Sequence, residues 1–342
     1  MCRVAVVGAT GAVGTVMLRK LRERRFPASE IVPFASARSA GRELEDGLGT
    51  VQPLTDETIA GFDIAIFSAG ATISREWAPR FVEAGATVVD NSSAFRQQDG
   101  IPLVVAEVNP EALDAHQGII ANPNCSTMQL MLPVKAIHAA AGIERLIVST
   151  YQCVSGTGVA AVEELEAQTR AALAGEPLPD PVVYPHPIAF NVLGGAGNFK
   201  DGDDYTDEER KMMFETRKII GDPDIGISVT CARVPVTYSH SLSVNVQTRE
   251  PLDVDEARAA MAAMDNLELV DDPANHGYPT ARDAAGRDEV FVGRLRRDPS
   301  HPRALNLWVV SDNLYKGAAT NAVQLAELLH GRGLVRSLTP VV

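Results

Sequence analysis

Cys125 sits in the run Ala121-Asn122-Pro123-Asn124-Cys125-Ser126-Thr127. A strand-like approach ends at Asn122 and Pro123, and a helix-like stretch follows from about Ser126 to Ala141. The thiol is therefore expected at the mouth of a helix, where unpaired N–H groups and the helix dipole favour a thiolate. A thiolate is the nucleophile that acyl transfer needs. A lone cysteine more often packs as a small hydrophobe, so the reading depends on what else the chain supplies. His240, in Tyr238-Ser239-His240-Ser241, is a candidate base. Arg233 interrupts the apolar strand Ile227–Val236, and a charge there needs a carboxylate from the protein or from a ligand. Gln152 lies in a strand over 144–154; by alternation it faces the site while Cys153 turns into packing. Arg96 lies just past a strand end, placed to meet an anion. Glu215 and Lys218 share one face of a helix that opens on the capping box Thr206-Asp207-Glu208-Glu209. Spacing alone makes that pair a surface ion pair.

These side chains need a frame, and the first third of the chain has the pattern of one. Residues 3–8 read as a buried strand, followed by Gly8-Ala9-Thr10-Gly11-Ala12-Val13-Gly14 and a helix to about Arg24. Strand, glycine turn and helix form a site for a pyrophosphate. The next strand, Ile31–Ala35, ends in Ser36-Ala37-Arg38-Ser39-Ala40-Gly41, with no Asp or Glu for ribose hydroxyls. Arg38 flanked by Ser36 and Ser39 suits a 2′-phosphate, so NADP is preferred over NAD. Strands over 63–68 and 87–90, with a helix at 73–84 between them, continue the alternation. The expectation is an α/β fold with a doubly wound parallel sheet and ligands beyond its carboxyl ends. Later, Ser155-Gly156-Thr157-Gly158 turns into a helix over 159–174, and residues 175–205 form a long irregular connection.

Length and charge set limits. The 342 residues suggest two domains. A net charge of −13 argues against a nucleic-acid footprint or binding to an anionic membrane surface. No signal peptide or membrane span is expected. The four cysteines, Cys2, Cys125, Cys153 and Cys231, have neither CxxC pairing nor metal-ligand spacing. No metal and a reducing, cytoplasmic setting are expected.

Taken in order, GATGAVG (8–14), SARSAG (36–41), NSSAFR (91–96), NPNCST (122–127), QCVSGTG (152–158), EERKMMFETRKI (208–219), RVPVTYSHS (233–241) and SDNLYKGAATN (311–321) resemble the aspartate-β-semialdehyde dehydrogenase family across essentially the whole chain. The resemblance implies NADPH-dependent reduction of L-aspartyl 4-phosphate to L-aspartate 4-semialdehyde, within aspartate-family amino-acid biosynthesis. It makes Cys125 the thioester nucleophile, His240 the acid–base group and Gln152 the residue that orients the carbonyl. Arg233 would clamp the α-carboxylate and Glu215 the α-ammonium, with Arg96, Lys218 and Asn124 at the phosphate. Gly8, Thr10, Gly11, Ala12, Val13, Ser36, Arg38, Ser39, Ser155, Gly156 and Asn313 would contact the cofactor. The implied architecture is a Rossmann-like domain from 1–122 and 313–342, and an α+β catalytic and dimerisation domain over 123–312, in a homodimer. One departure stands out: where family members often carry a Pro-His type sequence, Phe190-Asn191-Val192-Leu193 runs into Gly194-Gly195-Ala196-Gly197, a loop expected to be mobile. The alternatives are an N-acetylglutamyl-phosphate reductase, disfavoured because its substrate has an amide where Glu215 expects an ammonium, and a silent NADPH-binding protein, disfavoured by the presence of Cys125, Gln152 and His240 together.

Overall fold

The apolar run of β1 (Cys2–Val7) is buried nearly throughout, as a strand covered on both faces requires. The computed structural model describes residues 2–335. It divides the chain into a unit that runs to Asn124 and resumes at Ala318, and a second unit from Cys125 to Gly317. The boundaries expected at 122/123 and 312/313 fall short of these for local reasons. The Asn122 backbone N–H donates to Asp90 O (2.8 Å), and its Nδ2 donates to Ala318 O (3.2 Å), which keeps this segment in the first unit. Asn313 Nδ2 donates to Ser155 Oγ (3.0 Å) within the second. Residues 336–342 of the expected C-terminal segment lie outside the described residues.

In the first unit β1 is followed by α1 (Ala12–Glu23), β2 (Ala28–Ala35), a hairpin of β3 (Glu43–Leu44) and β4 (Gly49–Thr50), and β5 (Gln52–Pro53). Then come β6 (Ile64–Phe67), α2 (Ala71–Glu83), β7 (Thr87–Asp90) and β8 (Ile119–Ala121). The main sheet is parallel in the order β5-β2-β1-β6-β7-β8. The chain winds outward from β1 and returns to β6 on the other side, so the switch point lies beyond the ends of β1 and β6. Gly8 closes that point, with φ +88°; a Cβ there would lie 2.3 Å from Ser68 O. Phe34, Phe67 and Phe81 meet edge to face in the core beneath.

The second unit comprises α3 (Cys125–Ala141), β9 (Ile143–Gln152), α4 (Val159–Ala174), α5 (Asp207–Ile220), β10 (Gly226–Arg233) and β11 (His240–Thr248). It continues through α6 (Val254–Ala262), β12 (Leu267–Leu269), α7 (Ala281–Ala284), β13 (Val290–Arg297) and β14 (Ala304–Ser311). Its sheet is mixed, in the order β10-β9-β11-β14-β13-β12. Buried and exposed residues alternate along β9 and β11, and α3 and α6 pack against one another. The other face carries Ile147, Tyr151, Ser243 and Trp308. A π-helical turn (Tyr315–Thr320) leads into α8 (Asn321–Gly331), which belongs to the first unit and is tied there by Asn321 Nδ2 to Asn122 Oδ1 (2.6 Å).

The capping box that opens α5 is present, with Thr206 and Glu209 each bonding the other's backbone. The glycine-rich loop differs from expectation. Leu193 exchanges backbone hydrogen bonds with Arg233 (2.9 and 2.8 Å), and the Ala196 N–H donates to Cys231 O (2.8 Å), so the loop is fastened to β10. Its Gly197 serves close packing, since a Cβ there would lie 2.4 Å from Asp207 Oδ1.

Gly14 sets a test of the glycine turn. A Cβ at this position would lie 2.2 Å from Gly8 O, a backbone atom with no easy retreat. Gly14→Ala is expected to cost about 1–3 kcal/mol, read as a lower urea midpoint at unchanged slope. An unchanged midpoint would mean the turn yields freely.

Candidate active site

Cys125 is the first residue of α3 and is half-buried, and His240 is the first residue of β11 and is fully buried. Cys125 Sγ lies 3.2 Å from His240 Nε2. Gln129, one turn along α3, donates through Nε2 to His240 O (3.3 Å) and so ties the helix to the start of the strand. The other ring nitrogen, Nδ1, accepts the backbone N–H of Cys153 (3.0 Å), with Cys153 Sγ 3.2 Å away. Burial, aided by the nearby Arg233 cation, pushes the His240 imidazole down to about 3, so the ring is neutral at physiological pH. Burial pushes the Cys153 and Cys231 thiols up to about 11 and about 12. Cys125 is the one cysteine of the four that is not fully buried.

Cys153 is fully buried, as a residue turned into packing should be, but its thiol also meets polar partners. β9 ends at Gln152, so strand alternation does not extend to the next residue. The Cys153 thiol donates to Asn313 Oδ1 (3.0 Å) and lies 3.3 Å from Ser155 Oγ. Asn313 Oδ1 also accepts the Ser239 backbone N–H (3.1 Å), holding a residue with φ +71° immediately before the histidine. The buried amide of Asn313 and the hydroxyl of Ser155 thus form a polar group around the Cys153 thiol.

Arg233 ends β10 and is almost fully buried. Its Nη1 donates to Cys153 O (2.7 Å), its guanidinium lies 5.8 Å from the Tyr184 ring centre, and its Nε has no protein partner. A buried guanidinium with an open donor is a site for an anionic acceptor. Gly156 keeps the space beside it clear: a Cβ there would lie 3.2 Å from His240 Cε1 and 3.6 Å from Arg233 Nη1. Gly317, in the π-helical turn, packs behind the nucleophile, where a Cβ would lie 3.1 Å from Cys125 Cβ.

Gln152 is buried, and its Nε2 donates to Glu208 Oε1 (3.3 Å), while Glu208 Oε2 accepts from Lys211 Nζ (3.3 Å). Sequence reasoning missed both Glu208 and Cys153. The signal for Glu208 was the doubled glutamate of the capping box. Glu209 caps the helix and accepts the Cys231 N–H (2.8 Å), which leaves Glu208 buried without a capping role. Glu215 and Lys218 lie on the same helix. Glu215 is buried, so it is no solvated surface partner, and the Lys218 ammonium lies 5.8 Å from the Phe214 ring centre.

In the first unit, Gly8, Thr10, Gly11, Ala12 and Val13 form the turn into α1. Gly11 is its N-cap, with no side-chain cap and no acidic residue in the first turn. These open amides and the close glycine packing fit a dinucleotide pyrophosphate. Ser36, Arg38 and Ser39 form a single turn after β2, with Ser36 and Arg38 exposed. Arg96 is buried, donating from Nε to Asn122 O (2.9 Å) and from Nη2 to Asn91 O (2.7 Å), and Asn124 is buried as well. Among the described residues no cluster of three or more His, Cys, Asp or Glu is placed to hold a metal, and no helix is long and apolar enough to cross a membrane.

Residues 3–116 match the family model described as semialdehyde dehydrogenase, NAD binding domain, and residues 134–316 match its dimerisation domain. The two matches, with the glycine turn in the first and a cysteine at a helix start facing a histidine at a strand start beside the second, define a semialdehyde dehydrogenase of this class. The chain is 49% identical over 338 residues to the aspartate-semialdehyde dehydrogenase of Aquifex aeolicus, covering 97% of this chain and 99% of that one. It is 48% identical to the Legionella pneumophila enzyme of the same name, covering 98% of each. The crystal structure of aspartate semialdehyde dehydrogenase II complexed with ASA from Vibrio cholerae superposes with a TM-score of 0.92 at 47% identity, covering 97% of this chain and 98% of that one. The chain belongs to the aspartate-semialdehyde dehydrogenase family.

If Glu208 fixes the orientation of the Gln152 amide, Glu208→Ala should lower kcat/KM for the dehydrogenase reaction about ten- to a hundredfold. This is the equivalent of losing a charge-assisted bond of roughly 1.5–3 kcal/mol. Alkylation of Cys125 by iodoacetamide should proceed as in the unmodified protein. Unchanged kcat/KM would remove Glu208 from the machinery.

Proposed function

We propose that the protein reduces L-aspartyl 4-phosphate to L-aspartate 4-semialdehyde and phosphate through a thioester on Cys125, and catalyses the phosphorylating oxidation in reverse. The observation that carries the reading is Cys125 Sγ set 3.2 Å from a buried imidazole, on the unit that also buries Arg233 with an open donor. Cys125 attacks the acyl carbon, phosphate leaves, and the resulting thioester carries the carbon that is reduced. The reduced nicotinamide supplies a hydride when bound. Arg233 suits the α-carboxylate and Glu215 the α-ammonium, so the two ends of the zwitterion meet opposite charges. Arg96, Lys218 and Asn124 suit the phosphate. Gln152, held by Glu208, orients the carbonyl, and His240 meets the charge that develops at sulfur and oxygen. The Vibrio cholerae protein carries ASA in its crystal structure, which supports the same substrate class here. An acetylated amine would leave the buried Glu215 without its cation.

The cofactor is NADP. Arg38, between Ser36 and Ser39, offers a guanidinium and hydroxyls to a 2′-phosphate, with Ser155, Gly156 and Asn313 nearer the reacting end. The protein acts as a homodimer in a reducing cytoplasm. The open sheet face with Tyr151 and Trp308, in the region matched as a dimerisation domain, supports the first point, and four cysteines outside any disulfide support the second.

Phosphate-dependent reduction of NADP⁺ by L-aspartate 4-semialdehyde, followed at the nicotinamide absorbance, tests the reaction. The unmodified protein should be active only with phosphate, and Cys125→Ala should abolish turnover while binding NADPH normally. Full activity in that variant would sink the thioester. Arg38→Ala should weaken NADPH by roughly 1.5–3 kcal/mol and leave NADH nearly unchanged. Equal losses for the two would show that Arg38 does not read the 2′-phosphate.

A further inference from the structure

We propose that Tyr184 is a positioning residue for Arg233, its ring supporting the guanidinium while the Nε donor stays open to the substrate carboxylate. This deepens, and rests on, the reading of Arg233 as the partner of the α-carboxylate. The Tyr184 ring centre lies 5.8 Å from the Arg233 guanidinium, within the range of a cation–π contact. Arg233 is almost fully buried, and among the described residues no carboxylate is hydrogen-bonded to it. A buried cation that must also hold a ligand needs surroundings that stabilise its charge without cancelling it. An aromatic face does so: its quadrupole attracts the cation, yet it brings no net charge to compete with a substrate anion.

The ring is held at both ends. Its hydroxyl donates to Thr157 Oγ1 (2.9 Å), in the turn that leads into α4. The backbone on either side of Tyr184 is clipped to α4 by two side chains one helical turn apart. Glu164 Oε2 accepts the N–H groups of Val182 (2.6 Å) and Val183 (2.7 Å). The fully buried Gln168 accepts those of Ile188 (2.8 Å) and Ala189 (3.2 Å) through Oε1. Leu193 then exchanges backbone hydrogen bonds with Arg233 itself. The irregular connection over 175–205 therefore reaches Arg233 twice, at its main chain through Leu193 and at its guanidinium through Tyr184. A long segment without regular structure that is fixed at so many points is suited to carrying a functional side chain.

The consequence falls on substrate affinity. Without the ring, the guanidinium would lose the contact that steadies its plane and keeps water from that side. The α-carboxylate takes no part in the bonds that change, so ground state and transition state would lose this binding together. Such a loss raises KM and leaves the chemical step nearly intact.

The test compares Tyr184→Ala, Tyr184→Leu and Tyr184→Phe in the phosphate-dependent oxidation of L-aspartate 4-semialdehyde. Tyr184→Ala should raise KM for the semialdehyde about five- to thirtyfold, with kcat falling less than about twofold. KM for phosphate and the affinity for NADPH should not move. Tyr184→Leu fills most of the space without a π face. It carries the same expectation, and it keeps the test in hand if the alanine variant does not fold. Tyr184→Phe keeps the ring and should recover most of the loss. An unchanged KM in the leucine or alanine variant overturns the positioning role, as does a loss spread evenly over kcat, phosphate and NADPH. A phenylalanine variant as impaired as the alanine one overturns it too. An unmodified protein with no phosphate-dependent turnover of the semialdehyde overturns the underlying function, and this role with it.

Discussion

A buried neutral imidazole needs a partner for each nitrogen, and the unit from Cys125 to Gly317 is organised around that requirement. The donor for Nδ1 is a main-chain amide just past the end of β9, so the ring's orientation depends on the β9–β11 pairing that brings Cys153 beside His240. The partner for Nε2 is a side chain at the first residue of α3, so the helix must begin at that level, and Gln129 fixes it there. Ser239 takes a left-handed conformation to bring the chain into β11, and the Asn313 amide holds it in that conformation. Gly156 and Gly317 then let backbone pass at van der Waals distance from the ring and from Cys125.

Two buried guanidinium groups, one in each unit, are held in the same manner. Arg96 donates to the carbonyls of Asn122 and Asn91, and Arg233 to that of Cys153. A carbonyl satisfies an N–H without cancelling the charge behind it. A carboxylate in that position would fix the side chain equally well but would weaken its pull on a substrate anion. Acidic residues outnumber basic ones along the chain, and these carbonyl acceptors add no further negative charge beside the two side chains.

The features read correctly from sequence are those set by local chemistry. The turn from Gly8 to Gly14, the capping box at Thr206 and the helix beginning beside Cys125 depend on neighbours only a few residues away. The errors and omissions share a different cause. Alternation along β9 rightly buried Cys153, but the strand stops one residue earlier, at a point set by its pairing with β10 and β11, and the polar partners of the thiol went unread. Glu208 looked like part of a cap because its target, Gln152, is 56 positions distant. The glycines at 194–197 suggested freedom, whereas the edge of β10 gives that segment hydrogen-bond partners. Periodicity carries no information about where an element meets a remote neighbour.

The burial of His240 also couples the reactive centre to the acid tolerance of the whole fold. In the unfolded chain this ring would bind a proton near its ordinary value, about 6.5, whereas in the folded protein it stays neutral down to about 3. Between those limits the unfolded state holds one more proton than the native state at this position. Each unit by which the pH falls below the ordinary histidine range therefore shifts the balance toward unfolding by up to roughly 1.4 kcal/mol. Above that range the ring is neutral in both states and exerts no pull. Acidification thus favours the unfolded chain, in which this ring is free to take up a proton.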